Sequence, residues 1–125
     1  MEHSYQIRVT ARPFYLPEQS DEAAEQYTFA YQITIENAGS ITAKLIARHW
    51  IIEDAGGKTQ EVRGLGVIGE HPELAPGEVF EYTSGVTLAT PVGTMRGTYQ
   101  MIAADGTEFE AEIAQFVLSM PRTLH

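Results

Sequence analysis

The sequence predicts an all-β fold, an immunoglobulin/fibronectin type III-like β-sandwich of about seven antiparallel strands. Three observations lead there. Turn-forming residues recur at the short spacing of an antiparallel sandwich: Pro13 and Pro17, Asn37-Ala38-Gly39, Asp54-Ala55-Gly56-Gly57, Pro76-Gly77, Pro91-Val92-Gly93 and Asp105-Gly106. The runs between them alternate with period two, and helical periodicity is almost absent. The chain has 125 residues, 43% of them hydrophobic, which suits one core and leaves no room for a second domain of ordinary size, so 1–125 is read as a single domain.

Taken in order, the first strand is expected over Tyr5 to Ala11. Glu18 to Gln26, acidic and following Pro17, reads as a loop holding at most one short helix. Tyr27 to Asn37 is the clearest strand: Tyr27, Phe29, Tyr31, Ile33 and Ile35 share one face while Thr28, Gln32, Thr34 and Glu36 share the other. Ala43 to Glu53 and Thr59 to Arg63 follow as a pair around a glycine turn. Val79 to Thr83 and Val86 to Leu88 read as two separate short strands. Met95 to Leu118 reads as a hairpin, with Asp105-Gly106 as its two-residue turn. Tyr99, Met101 and Ala103 face Phe109, Ala111 and Ile113 across it, and the apolar set then changes phase to Phe116 and Leu118. A change of phase inside a strand marks an inserted residue, so a β-bulge is expected near Ala114 and Gln115. Trp50 and Tyr99 occupy the positions where such sandwiches keep a core Trp and a corner Tyr.

Composition excludes whole classes of activity. There is no Cys, hence no disulfide, thiolate-bound metal, iron–sulfur cluster or thiol nucleophile. Eight Lys and Arg against 17 Asp and Glu give a net charge of −9, which repels phosphate backbones and anionic lipid, so no nucleic-acid partner is expected. No apolar run approaches the ~18 residues of a membrane span, and Met1-Glu2-His3-Ser4-Tyr5 has no basic and apolar leader, so the expected location is cytoplasmic.

Few motifs carry chemistry. Gly64-Leu65-Gly66-Val67-Ile68-Gly69 fits G-x-G-x-x-G, which in nucleotide-binding folds brings backbone amides to a pyrophosphate at a helix N-terminus. Pro72 and Pro76 follow within eight residues and forbid that helix. Two readings of the segment stand: glycines that permit positive φ in a bent β segment, or an anion loop of Gly64, Gly66 and Gly69 with Arg63 alongside. Gly57-Lys58-Thr59 ends like a Walker loop, but Ile52 stands where the first glycine belongs. His3, His49, His71 and His125 are 46, 22 and 54 positions apart, none a metal-ligand spacing. Glu70, His71 and Glu73, with Asp21 and Glu22, are the one local set that could be recruited by a hard cation or cobalt. Ser84 in Tyr82-Thr83-Ser84-Gly85-Val86 lacks the glycines of a nucleophile elbow. Glu108, Glu110 and Glu112 alternate with Phe109, Ala111 and Ile113, so they form a solvated face that discourages edge pairing. No enzyme and no cofactor are expected.

Several words of the sequence, in their order, resemble the ApaG domain family, comprising bacterial ApaG proteins and the ApaG domains of some eukaryotic F-box proteins and of a polymerase-delta-interacting protein. They include Tyr15-Leu16-Pro17-Glu18-Gln19-Ser20, Tyr27 through Asn37, Leu45-Ile46-Ala47-Arg48-His49-Trp50-Ile51-Ile52, Val62-Arg63-Gly64-Leu65-Gly66-Val67-Ile68-Gly69-Glu70, Pro76-Gly77-Glu78, Tyr82-Thr83-Ser84-Gly85, Met95-Arg96-Gly97-Thr98-Tyr99 and Phe116-Val117-Leu118. The resemblance runs from about Ile7 to Pro121. It implies a fibronectin type III-like sandwich, and an accessory role linked to cobalt resistance and magnesium efflux in bacterial members or protein interaction in eukaryotic ones. It carries no catalytic residues over.

The functional expectation is therefore a non-catalytic module that binds a protein partner through a surface containing Arg48, His49, Glu70 and His71. The alternatives are a binder of a pyrophosphate- or nucleotide-type anion at Gly64 to Gly69, and a direct divalent-metal binder. Edge pairing into a weak homodimer is compatible with the strands but not required by them.

Overall fold

The computed structural model describes residues 2–121; His125, the last of the four histidines weighed above, lies outside them. Eight strands run in chain order: β1 Ile7–Tyr15, β2 Tyr27–Asn37, β3 Ala43–Asp54, β4 Thr59–Leu65, β5 Glu73–Leu74, β6 Val79–Leu88, β7 Val92–Ala103 and β8 Glu108–Ser119. One sheet has the order β1-β2-β6; the other has the order β4-β3-β7-β8, with β5 also pairing β3. Every pairing is antiparallel.

Period-two alternation builds the core between the sheets. From β2 it takes Phe29, Tyr31, Ile33 and Ile35, all buried, and from the facing sheet Leu45, Trp50, Ile52, Met95, Tyr99, Met101, Ala111, Ile113 and Leu118. Each large apolar side chain so covered contributes about 1.5–3 kcal/mol. Trp50 is the core Trp that the sequence indicated: Tyr31, Tyr99 and Phe116 ring it at centroid distances of 5.4, 6.3 and 6.0 Å.

The bulge falls where the phase change placed it. Met95 stands opposite Phe116 and Gly97 opposite Ile113, so Ala114 and Gln115 together face Arg96. A second irregularity on β3 was not expected. Leu45 pairs Met101 but Ala47 pairs Gln100, which makes Ile46 the extra residue. Its effect is large: before it Ala43 and Leu45 point inward, and after it Trp50 and Ile52 do. Without the insertion His49 and Ile51 would face the core, and Arg48 and Trp50 would face water.

Three expectations need correction. Pro13 is no turn but sits inside β1 opposite Tyr31, tolerated because β1 is an edge strand and the missing N–H faces away from the sheet. The two short strands around Ser84-Gly85 are one strand, β6, in which Gly85 pairs Ala30 without a break. Tyr99 is no corner tyrosine. Its hydroxyl hydrogen-bonds the hydroxyl of Tyr82 on the opposite sheet, so it ties the two layers together instead of bonding nearby backbone. The loop after β1 contains two 3-10 turns, Pro17–Gln19 and Glu22–Ala24, the second capped by Asp21 Oδ1 accepting from the Ala24 N–H at 3.2 Å.

Candidate functional site

The glycine-rich segment leaves β4 and turns sharply back toward β5. Val67 and Glu70 exchange both backbone hydrogen bonds, each 2.8 Å long, which encloses Ile68 and Gly69 in a two-residue hairpin loop. Both enclosed residues have positive φ, 44° and 78°, the signature of a type I′ turn. The second central residue of that turn is well suited to glycine. The first is isoleucine, a β-branched residue whose left-handed conformation costs roughly 1–2 kcal/mol.

Each glycine of the segment has its own physical role. Gly66 has φ 62°, is buried, and any Cβ there would run into the carbonyl oxygen of Glu70. Gly69 needs only its positive φ, with open space where a side chain would go. Gly64 lies flat beneath the Arg48 guanidinium, whose carbon would stand 2.7 Å from a Cβ. The loop amides are largely engaged: Gly66 N–H donates to the Ile46 carbonyl at 2.9 Å, and those of Val67 and Glu70 donate to each other's carbonyls.

The structure separates the residues grouped from sequence. Arg48 and His49 are successive on β3 and so face opposite sides of the sheet. Arg48 points inward, and its Nη1 donates to the carbonyls of Leu65 and Gly66 at 3.0 and 2.8 Å. His49 points outward with Nε2 3.0 Å from Glu61 Oε1. Arg63 pairs His49 across the β3–β4 ladder and is exposed on that outer face, not beside the Arg48 guanidinium. Glu70 and His71 are exposed at the base of the turn, His71 with Nδ1 3.1 Å from the Leu45 carbonyl. Glu73 instead pairs Lys44 in the ladder. Among the described residues no three of His, Asp and Glu converge as a metal-binding set.

Sequence reasoning passed over the apolar side chains of this corner. Leu65 is 73% exposed and Ile68 56% exposed, the two highest values among the large hydrophobic residues that reach the surface. Ile46, also exposed, accepts the Gly66 N–H through its carbonyl and borders an outer-face hollow of ≈ 520 Å³ with Gln100, Ile102 and Phe109. One signal was available: isoleucine before glycine in a tight turn breaks turn chemistry.

Behind the corner the Tyr82–Tyr99 pair lies in the core. Burial pushes the Tyr82 hydroxyl up to about 12, and burial together with the neighbouring Tyr82 holds Tyr99 well above the ordinary tyrosine range. The Arg48 charge opposes both shifts and is outweighed.

These features define an all-β protein of the immunoglobulin/fibronectin type III-like sandwich class, with a glycine-built corner that holds apolar side chains in water. The chain belongs to the ApaG domain family, whose model matches residues 17–103. It is 61% identical over 121 residues to Protein ApaG of Thiobacillus denitrificans, covering 97% of this chain and 95% of that one. To Protein ApaG of Methylococcus capsulatus it is 60% identical, with 97% and 96% covered. A crystal structure of the Bordetella pertussis relative, named there ApaA, superposes with a TM-score of 0.93 at 57% identity over 96% of this chain and 98% of that one. The C-terminal domain of wzt, at 8% identity and TM-score 0.56, covering 98% of this chain and 79% of that one, shares the fold alone. None of these names states a reaction, a ligand or a partner.

Proposed function

We propose that this chain is a non-catalytic interaction module that docks a protein partner through the corner formed by Ile46, Leu65 and Ile68, with Arg63, Glu70 and His71 at its rim. The observation that carries this is Ile68. A β-branched residue held at positive φ and left more than half exposed gains little from the fold and costs it conformational energy. Strain of that kind persists where a side chain serves a contact outside the chain, and exposed apolar groups rimmed by polar ones mark interaction sites. The part in cobalt tolerance and magnesium efflux implied by family resemblance would then be exercised through the partner.

The test compares two channels in one protein. Immobilised wild type and Leu65→Ser are exposed to lysate of the source cell, and the labelled protein is separately titrated with pyrophosphate, nucleotide, magnesium and cobalt while its amide resonances are followed. The expected result is a protein retained saturably by wild type and lost by Leu65→Ser, with no saturable shift at residues 63–71 from the small ligands. Saturable shifts there from an anion or a cation, with no retained protein that depends on Leu65, would overturn the reading.

A further inference from the structure

The two sheets are sealed against each other on one side, where β1 meets β8, and stay open on the other, where the edge strands β4 and β6 border a cleft. The cleft has a volume of ≈ 330 Å³, and Tyr31, Arg48, Trp50, Val62, Ser84 and Val86 line it. It continues along the strands into a second hollow of ≈ 410 Å³ that shares Ile52, Gln60 and Thr87 with it. Its long shape fits an extended chain better than a compact ligand.

The four sheet edges are not protected alike. Pro13 leaves β1 without one outward N–H, the carboxylates of Glu108, Glu110 and Glu112 line β8, and β4 carries Glu61 and Arg63. The stretch Thr83 to Leu88 of β6 has neither charge nor proline, so its outward N–H and C=O groups form an unblocked template for another strand. Arg48 lies at the floor of the same cleft. Only its Nη1 has protein acceptors, both backbone carbonyls, and no carboxylate pairs with it among the described residues. A half-buried guanidinium offers a planar fork of donors that matches a carboxylate.

We infer that this cleft takes an extended peptide strand which pairs with the β6 edge over Thr83 to Leu88 and sets one acidic side chain on Arg48. Side chains of an added strand alternate in direction, so every second one faces Trp50 and Val62 on the opposite sheet and the others face water. The net charge of −9 disfavours further carboxylates on the peptide, which are repelled as it approaches. The site is inside the sandwich mouth and uses none of the Ile46, Leu65 and Ile68 side chains; it shares with that corner only the Leu65 and Gly66 carbonyls that hold Arg48. Gly64 belongs to this site: its missing side chain leaves room for the guanidinium.

The probe is a series of capped heptapeptides of alternating valine and threonine, each with one glutamate at a different position, and the same series with glutamine. Trp50 is the one tryptophan of the chain, so its emission reports the cleft floor, while amide shifts of Thr83 to Leu88 report edge pairing. The expected result is saturable change in both signals for at least one glutamate peptide, with affinity at least ~10-fold above its glutamine counterpart, as a charged hydrogen-bonded contact requires. In Arg48→Gln that preference disappears while the edge shifts persist at high peptide concentration. Gly64→Ala, which displaces the guanidinium without touching β6, also weakens the preference. No saturable shift at Thr83 to Leu88 from any member of the series overturns the proposal, as does equal affinity for the glutamate and glutamine forms in wild type; this comparison decides the matter even if Arg48→Gln does not fold.

Discussion

Tyr82 and Tyr99 show how one atom pair couples the layers of the sandwich. Each hydroxyl is buried and each has the other as its partner, so removing one strands the other. Tyr82→Phe and Tyr99→Phe are each expected to lower stability by about 1–2 kcal/mol, whereas the double variant falls within about 1 kcal/mol of wild type. Urea denaturation of the four proteins measures the coupling. The pH dependence has a definite sign. Both hydroxyls are held above the ordinary value of 10.0, so their contribution is fully present below pH 10, where both forms of the chain are protonated. It is lost as pH climbs from 10 toward 12, because the unfolded tyrosines ionise first. The double variant should lose stability less steeply across that window than wild type.

The elements show where the sequence was legible. The strand pattern of β2 and the phase change in β8 follow from side-chain alternation alone, because one face of each meets the core and the other meets water. The bulge at Ile46 left no such mark. Both alternatives on β3, Ala47-His49-Ile51 and Arg48-Trp50-Ile52, mix polar with apolar residues, and only packing between the sheets selects the second. That choice decides where Arg48 and His49 point, which is why the sequence placed them together and the fold places them apart. The glycine turn was legible as a bend but not in its division of labour. Gly66→Ala meets both the carbonyl of Glu70 and a positive φ and should cost about 3 kcal/mol or more, whereas Gly69→Ala meets only the positive φ and should cost about 1 kcal/mol. Thermal unfolding of the two variants checks the difference; equal costs would mean that the turn adjusts around Gly66.

At the scale of the whole molecule, a charge of −9 is spread over a surface whose β8 edge is itself acidic. Long-range attraction therefore favours partners that are neutral or basic overall, and contacts at short range have to supply the rest. The apolar corner of Ile46, Leu65 and Ile68 is the exposed feature best suited to do so. Isoleucine before glycine at Ile68-Gly69 marked an unusual turn, but the exposure of the corner did not follow from it, because apolar letters between glycines read equally well as a bent core strand. Ile68→Asn, which replaces the isoleucine by a residue at ease in the left-handed region, separates fold from function in one preparation when unfolding free energy and partner retention are both measured. The account predicts stability held or raised by about 1 kcal/mol while saturable retention of the partner is lost. A loss of stability with retention unchanged would contradict it, and would make Ile68 a structural residue of the turn.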